Sequence, residues 1–131
     1  MEDSPQFEMV NKIKIELENN LNLFDKISFD GLKVKGGIAC EISAGYNKDT
    51  YLNKSENIVV PLLFLCKSKD QALAYNTLCN IGNYMQRLKK YPECESCYIS
   101  NIDVATEANK IGKDDHDYYI YSCIINVLIY F

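Results

Sequence analysis

Ile58-Val59-Val60-Pro61-Leu62-Leu63-Phe64-Leu65-Cys66-Lys67, followed at once by Ser68-Lys69-Asp70-Gln71, decides how this chain is laid out. Val60, Leu62, Phe64 and Cys66 fall on one face of an extended run and Val59, Leu63 and Leu65 on the other, so the strand is apolar on both sides. One face packs under helices, and the second needs a cover of its own, which in a chain of 131 residues points to a neighbouring subunit. Pro61 has no N–H to give to a ladder, so the strand is expected at an edge or with a bulge. Ser68 with Gln71 reads as a capping box opening a helix, whose stripe is Ala74, Leu78, Ile81, Met85 and Leu88. Gly82 on that helix costs up to about 1 kcal/mol relative to alanine, and a close helix approach accounts for it. Pro92 ends the helix near Lys90.

Upstream, Val10, Ile13, Leu17, Leu21 and Phe24 recur at steps of three and four and predict an amphipathic helix from about Pro5 to Asp25. Ser4 is its N-cap and Pro5 its first residue, while Glu16 and Glu18 keep the opposite face wet. A ragged connection from Ser28 to Lys35 ends at Gly36-Gly37. Ile38, Cys40, Ile42 and Ala44 then alternate with Glu41 and Ser43 as a strand. Gly45 to Asn57 is polar and reads as a long exposed hairpin loop, longer than hairpins ordinarily need. Downstream, strands are expected from about Cys97 to Thr106 and from Asp117 to Phe131, with a polar loop around Asn109 to His116 between them. The predicted order is α-β-β-α-β-β. It forms one α+β domain over residues 1–131, a four-stranded, mainly antiparallel sheet with both helices on one face.

Composition narrows the function. Fourteen basic against 18 acidic residues leave a net charge of −4 and a pI of about 5.0, a poor match for a phosphate backbone, so no specific nucleic-acid binding is expected. The start, Met1-Glu2-Asp3-Ser4-Pro5, lacks the basic and apolar pattern of a secretory signal. Ile58 to Cys66 and Ile120 to Phe131 fall well short of the ~20 residues of a membrane-spanning helix, so no membrane partner is expected. Of six cysteines, Cys40, Cys66, Cys79 and Cys123 fall at core-facing positions, as in a reduced cytosolic protein.

Chemical motifs are sparse. Cys94-Glu95-Ser96-Cys97 follows Pro92 and leads into a strand, whereas a redox pair of this spacing opens a helix. A zinc knuckle needs a second ligand pair, and neither another such motif nor a nearby histidine supplies one. His116, within Lys113-Asp114-Asp115-His116-Asp117, reads as part of a solvated acidic turn rather than a catalytic base. The acidic run lacks the ligand pattern of a calcium loop, and no phosphate-binding, nucleophile-elbow or metalloprotease motif is present. Tyr118, Tyr119, Tyr121 and Tyr130 read as strand residues in a core or subunit interface rather than as a base-stacking platform. No catalytic residue, cofactor or metal is expected, and the chain reads as a non-enzyme.

The layout resembles that of the phage tail terminators, often labelled minor capsid proteins, including those of phage-tail-like bacteriocins. The likeness rests on the α-β-β-α-β-β order, on Ser68-Lys69-Asp70-Gln71-Ala72 opening the second helix, and on Gly112-Lys113-Asp114 followed by Tyr118-Tyr119-Ile120-Tyr121-Ser122 and an apolar strand. It spans about Met9 to Phe131. The resemblance implies a structural subunit that forms a ring, typically of six copies, capping the tail tube and ending its polymerisation. Partners are then further copies of the chain and the tube protein, with sheath or neck proteins alongside. Such a subunit works in the host cytoplasm during assembly and afterwards in the virion or tail-like particle.

On this reading Leu63, Leu65, Tyr119 and Tyr121 are the expected subunit interface. Tyr46, Lys48, Asp49, Tyr51 and Lys54 are the expected tube contacts. The opposite strand faces would make an equally consistent core. A neck or head-completion protein is the second reading; a small cytosolic enzyme using His116 and its neighbouring aspartates, and a free monomeric ligand-binding domain, are the others.

Overall fold

The computed structural model describes residues 4–43, 48–50 and 56–131, with the side chains of 48–50 and 56 outside that description. In chain order the elements are α1 (Pro5–Asn20), β1 (Ile27–Ser28), β2 (Gly37–Ile42), β3 (Lys48–Thr50), β4 (Glu56–Ser68), α2 (Gln71–Gln86), β5 (Tyr98–Lys113) and β6 (Tyr119–Tyr130). Among the described residues, no helix is long and apolar enough to cross a membrane.

The fold is α+β with two helices, but the expected four-stranded sheet is overturned. Among the described residues five strands run in the order β1-β2-β4-β6-β5, and β3 adds a short sixth against β4. The sheet is mixed, because β1 lies parallel to β2, with Ile27 opposite Ile38 and Ser28 opposite Ala39. Two residues are too few to show a period, so β1 has no mark in the sequence. It is held by burial of Ile27, 1% exposed, and by its N–H, which donates to Glu18 Oε2 at 2.9 Å.

The expected hairpin loop is also revised. Lys48, Asp49 and Thr50 pair with Ile58, Asn57 and Glu56. The loop expected around Asn109 to His116 is turn only from Asp114 onward and strand as far as Lys113, since β5 continues to that residue against β6. Its outer half is polar because β5 is an edge strand. Four register shifts along it blunt that edge against pairing with another chain.

Pro61 lies in a central strand instead of at an edge. Its carbonyl accepts from Ser43 N at 2.8 Å, so its missing N–H also points toward β2, one residue beyond the end of that strand's pairing at Ile42. The β6 side of the ladder, where Pro61 faces Asn126, loses nothing. The proline thus ends β2 without interrupting β4.

Helix α1 starts as its sequence signals predict. Ser4 Oγ accepts from Phe7 N at 3.1 Å and Pro5 follows at the first position. It stops at Asn20 rather than Asp25, where the Asn20 amide turns back to the Glu16 carbonyl at 2.8 Å. Met9, Val10, Ile13 and Leu17 are buried, and Phe24 is exposed.

Helix α2 is capped by Asp70, whose Oδ1 accepts from Leu73 N at 3.2 Å. Ser68, expected to be the cap, instead ends β4 and accepts from Asp70 N at 3.0 Å. Because the true cap lies two residues later, Gln71 occupies the first turn and no capping box forms. The close approach at Gly82 is to a strand, since a Cβ there would lie 3.4 Å from Val104 Cγ2 of β5.

One core joins both helices to one face of the sheet. Ala74, Leu78, Ile81 and Met85 of α2 and the buried residues of α1 pack on Val60, Leu62, Phe64 and Cys66 of β4. Cys123, Ile125, Val127 and Ile129 of β6 complete it. Glu16 is not simply solvated, because Tyr84 of α2 donates its hydroxyl proton to it and ties the helices together. Acceptance by that carboxylate holds the Tyr84 proton in place and raises its pKa to about 12.

Candidate functional site on the helix-free sheet face

In an antiparallel pair, residues directly opposite share a face, so the β4–β6 register defines the side away from the helices. Val59 faces Leu128, Leu63 faces Ile124, Leu65 faces Ser122 and Lys67 faces Ile120. Val59, Leu63, Leu65, Ile120, Ile124 and Leu128 are half-buried, and no described helix covers them. Small residues lie low between them, Ala39 fully buried and Ser122 nearly so. At one end Tyr98 faces Tyr130, and both are exposed. Polar side chains of Asn101, Asp103, Thr106 and Asn109 border the patch along β5. An apolar centre with a polar margin is the composition of a protein-binding surface.

The structure divides the expected interface set. Leu63 and Leu65 lie on this open face. Tyr121 faces Cys66 and Lys110 on the helix side, 7% exposed, with its ring edge-on to Tyr75 at 5.8 Å. Tyr119 shares that side, its ring 4.8 Å from Lys110 Nζ and 5.6 Å from Lys113 Nζ. Period-two alternation places Tyr119 with Tyr121, but only the cross-strand register shows that they oppose Leu63 and Leu65. Of the expected tube contacts, Lys48 and Asp49 lie in β3, and Tyr46, Tyr51 and Lys54 fall outside the described residues.

At the other end of the open face, Lys67 Nζ meets Asp114 Oδ2 at 2.9 Å and sits 5.3 Å from the Tyr118 ring. Asp114 Oδ1 also accepts from the N–H groups of His116 and Tyr118, each at 2.9 Å. The acidic run is therefore the β5–β6 turn, with Asp117 at φ 67° and His116 exposed. Asp114 holds the turn shut rather than orienting a base.

The ion pair with Lys67, and then the Tyr118 N–H, lower the Asp114 pKa from 3.8 to about 2. A carboxylate depressed in the folded state stabilises the fold above its unfolded value and loses that contribution as pH falls from about 4 toward about 2. Asp114→Asn should therefore melt below wild type at neutral pH, with the gap closing across that window. Thermal melts of both chains along a pH series check this, and parallel curves would remove the pair from the account.

The cysteines divide by position. Cys40, Cys66 and Cys123 are buried, Cys79, Cys94 and Cys97 half-buried, and all six are free thiols. Burial pushes Cys40, Cys66 and Cys123 up to about 12, so they are inert core residues. Cys94 and Cys97 lie together in the turn before β5. They line a cavity of about 520 Å³ with Tyr91, Pro92, Tyr98 and Ile99. Sequence reading left Glu8 out of this region, yet its carboxylate bonds the backbone between the two cysteines. Oε2 accepts from Glu95 N and Oε1 from Ser96 N, both at 2.9 Å. A link between residues 87 apart has no local signal. No model of a known protein family matches the chain, and neither does any curated protein.

Proposed function

We propose that the chain is a structural subunit of a phage tail or phage-tail-like particle, assembling with further copies into a ring that caps the tail tube and ends its growth. The observation that carries this reading is the half-buried apolar face of β4 and β6, which no described helix covers and which a second copy would bury. Ring closure accounts for a patch of this kind, because each copy covers its neighbour and leaves none of the apolar surface exposed. The observed order, α1-β1-β2-β3-β4-α2-β5-β6, departs from the expected one, so the likeness to tail terminators rests on the local stretches around Gln71 and Gly112 to Ser122. A net charge of −4 suits a ring through which nucleic acid passes without adhering.

The test is electron microscopy of the purified chain, alone and mixed with purified tail tube protein. Ring-shaped particles, and tubes that are capped and shorter than those of tube protein alone, are the expected result. Leu63→Asp places a charge in the middle of the open face. It should leave the circular dichroism spectrum intact, cost the lone chain about 1–2 kcal/mol, and abolish both rings and caps. A chain that stays monomeric while tubes grow unchecked would overturn the proposal, as would a Leu63→Asp variant that still caps.

A further inference from the structure

We propose that Cys94, Cys97 and Glu8 form a zinc-binding site that clips the first turn of α1 to the turn before β5. The two thiol sulfurs and a carboxylate oxygen of Glu8 all lie within 4.8 Å of one another. Tetrahedral zinc, with bonds of about 2.3 Å to sulfur and about 2.0 Å to oxygen, needs ligand atoms roughly 3.5–3.8 Å apart. A contraction of about an ångström therefore closes the site.

The hydrogen bonds of Glu8 indicate which oxygen is the ligand. Oε1 already accepts from both Ser96 N at 2.9 Å and Ser96 Oγ at 2.6 Å. Among the described residues Oε2 accepts only from Glu95 N at 2.9 Å, which leaves it a lone pair for a metal. These bonds also fix the carboxylate before any ion arrives, as the outer shell of a metal site does. Thiolate sulfur with one carboxylate favours zinc over the hard cations magnesium and calcium. Three protein ligands leave the fourth position of a tetrahedron for water, and both cysteines line the adjoining cavity.

Charge and protons balance. Zinc displaces one proton from each thiol, so one dication enters and two protons leave, with no change of oxidation state. Two thiolates, one carboxylate and the dication sum to a single negative charge, and Lys12 on the next turn of α1 supplies its counter-charge.

The experiment uses the reduced full chain titrated with zinc against a chromophoric chelator, with cobalt(II) as spectroscopic probe. One zinc per chain, a higher melting temperature with zinc, and thiolate-to-cobalt charge-transfer bands are expected. The double variant Cys94→Ser with Cys97→Ser should lose stoichiometric binding. Glu8→Gln should weaken it by more than the roughly 10–100-fold that loss of an outer-shell partner costs, and Cys79→Ser should leave it unchanged. Cobalt binding without thiolate bands overturns the proposal in the wild-type chain itself, whether or not the variants fold. So does the absence of stoichiometric zinc, or zinc retained by the double variant, or zinc lost in Cys79→Ser. None of these results depends on ring formation.

Discussion

Phe64→Ala is expected to cost about 3–5 kcal/mol of folding stability, while Leu63→Ala, one residue away, costs no more than about 1–2 kcal/mol. Phe64 is 1% exposed and sits on the central strand between Cys40 of β2 and Cys123 of β6, beneath both helices. Strands flank it on either side, so the space left by the ring cannot collapse and the cavity cost is added to the lost burial. Leu63 points to the opposite, helix-free face, where truncation opens onto solvent. Against a total stability of about 5–15 kcal/mol, the first loss is a large fraction and the second a small one. Urea unfolding, at concentrations where the chain is monomeric, reads both. Equal losses would mean that the two faces of β4 are equally covered.

Gly36→Ala should be the other severe substitution, costing at least about 2 kcal/mol, with Gly31→Ala as its control. Both glycines have left-handed φ, +97° and +95°, which an L side chain adopts at a cost of roughly 1–2 kcal/mol. They differ in what a Cβ would meet. At Gly31 nothing lies within 4 Å, whereas at Gly36 the carbonyl oxygen of Lys67 stands 2.7 Å away. That oxygen belongs to β4 backbone, whose side chain is tied to the β5–β6 turn through Asp114, so it has little room to retreat. The difference between the two variants in one set of melts isolates the contact from the backbone strain. Equal destabilisation would show that the loop before β2 shifts freely.

Much of the helical layer was legible in local chemistry. Ser4-Pro5 starts α1 where a capping side chain and a preset φ belong, and the spacing Ala74, Leu78, Ile81, Met85 gives α2 its buried face. Both signals work because they act within a turn or two. The ends were less legible. Asn20 stops α1 through its own amide, and Asp70 rather than Ser68 caps α2, since several residues there can fill a cap and tertiary fit selects one.

For the candidate sites, period-two alternation already makes β4 apolar on both faces. The alternation that establishes this is symmetric, so it cannot say which face the helices take. The β4–β6 register and the packing of α1 and α2 decide that, and they place Leu63 and Leu65 outside and Tyr121 inside. Other decisions belong to the tertiary structure for the same reason, that the interaction responsible is non-local. The two-residue β1 exists only because β2 lies beside it. The polar outer half of β5 is strand because β6 supplies its hydrogen bonds, and Pro61 is tolerated in a central strand because β2 ends beside it. Glu8 meets Cys94 and Cys97 only once α1 has docked beside the turn that leads into β5.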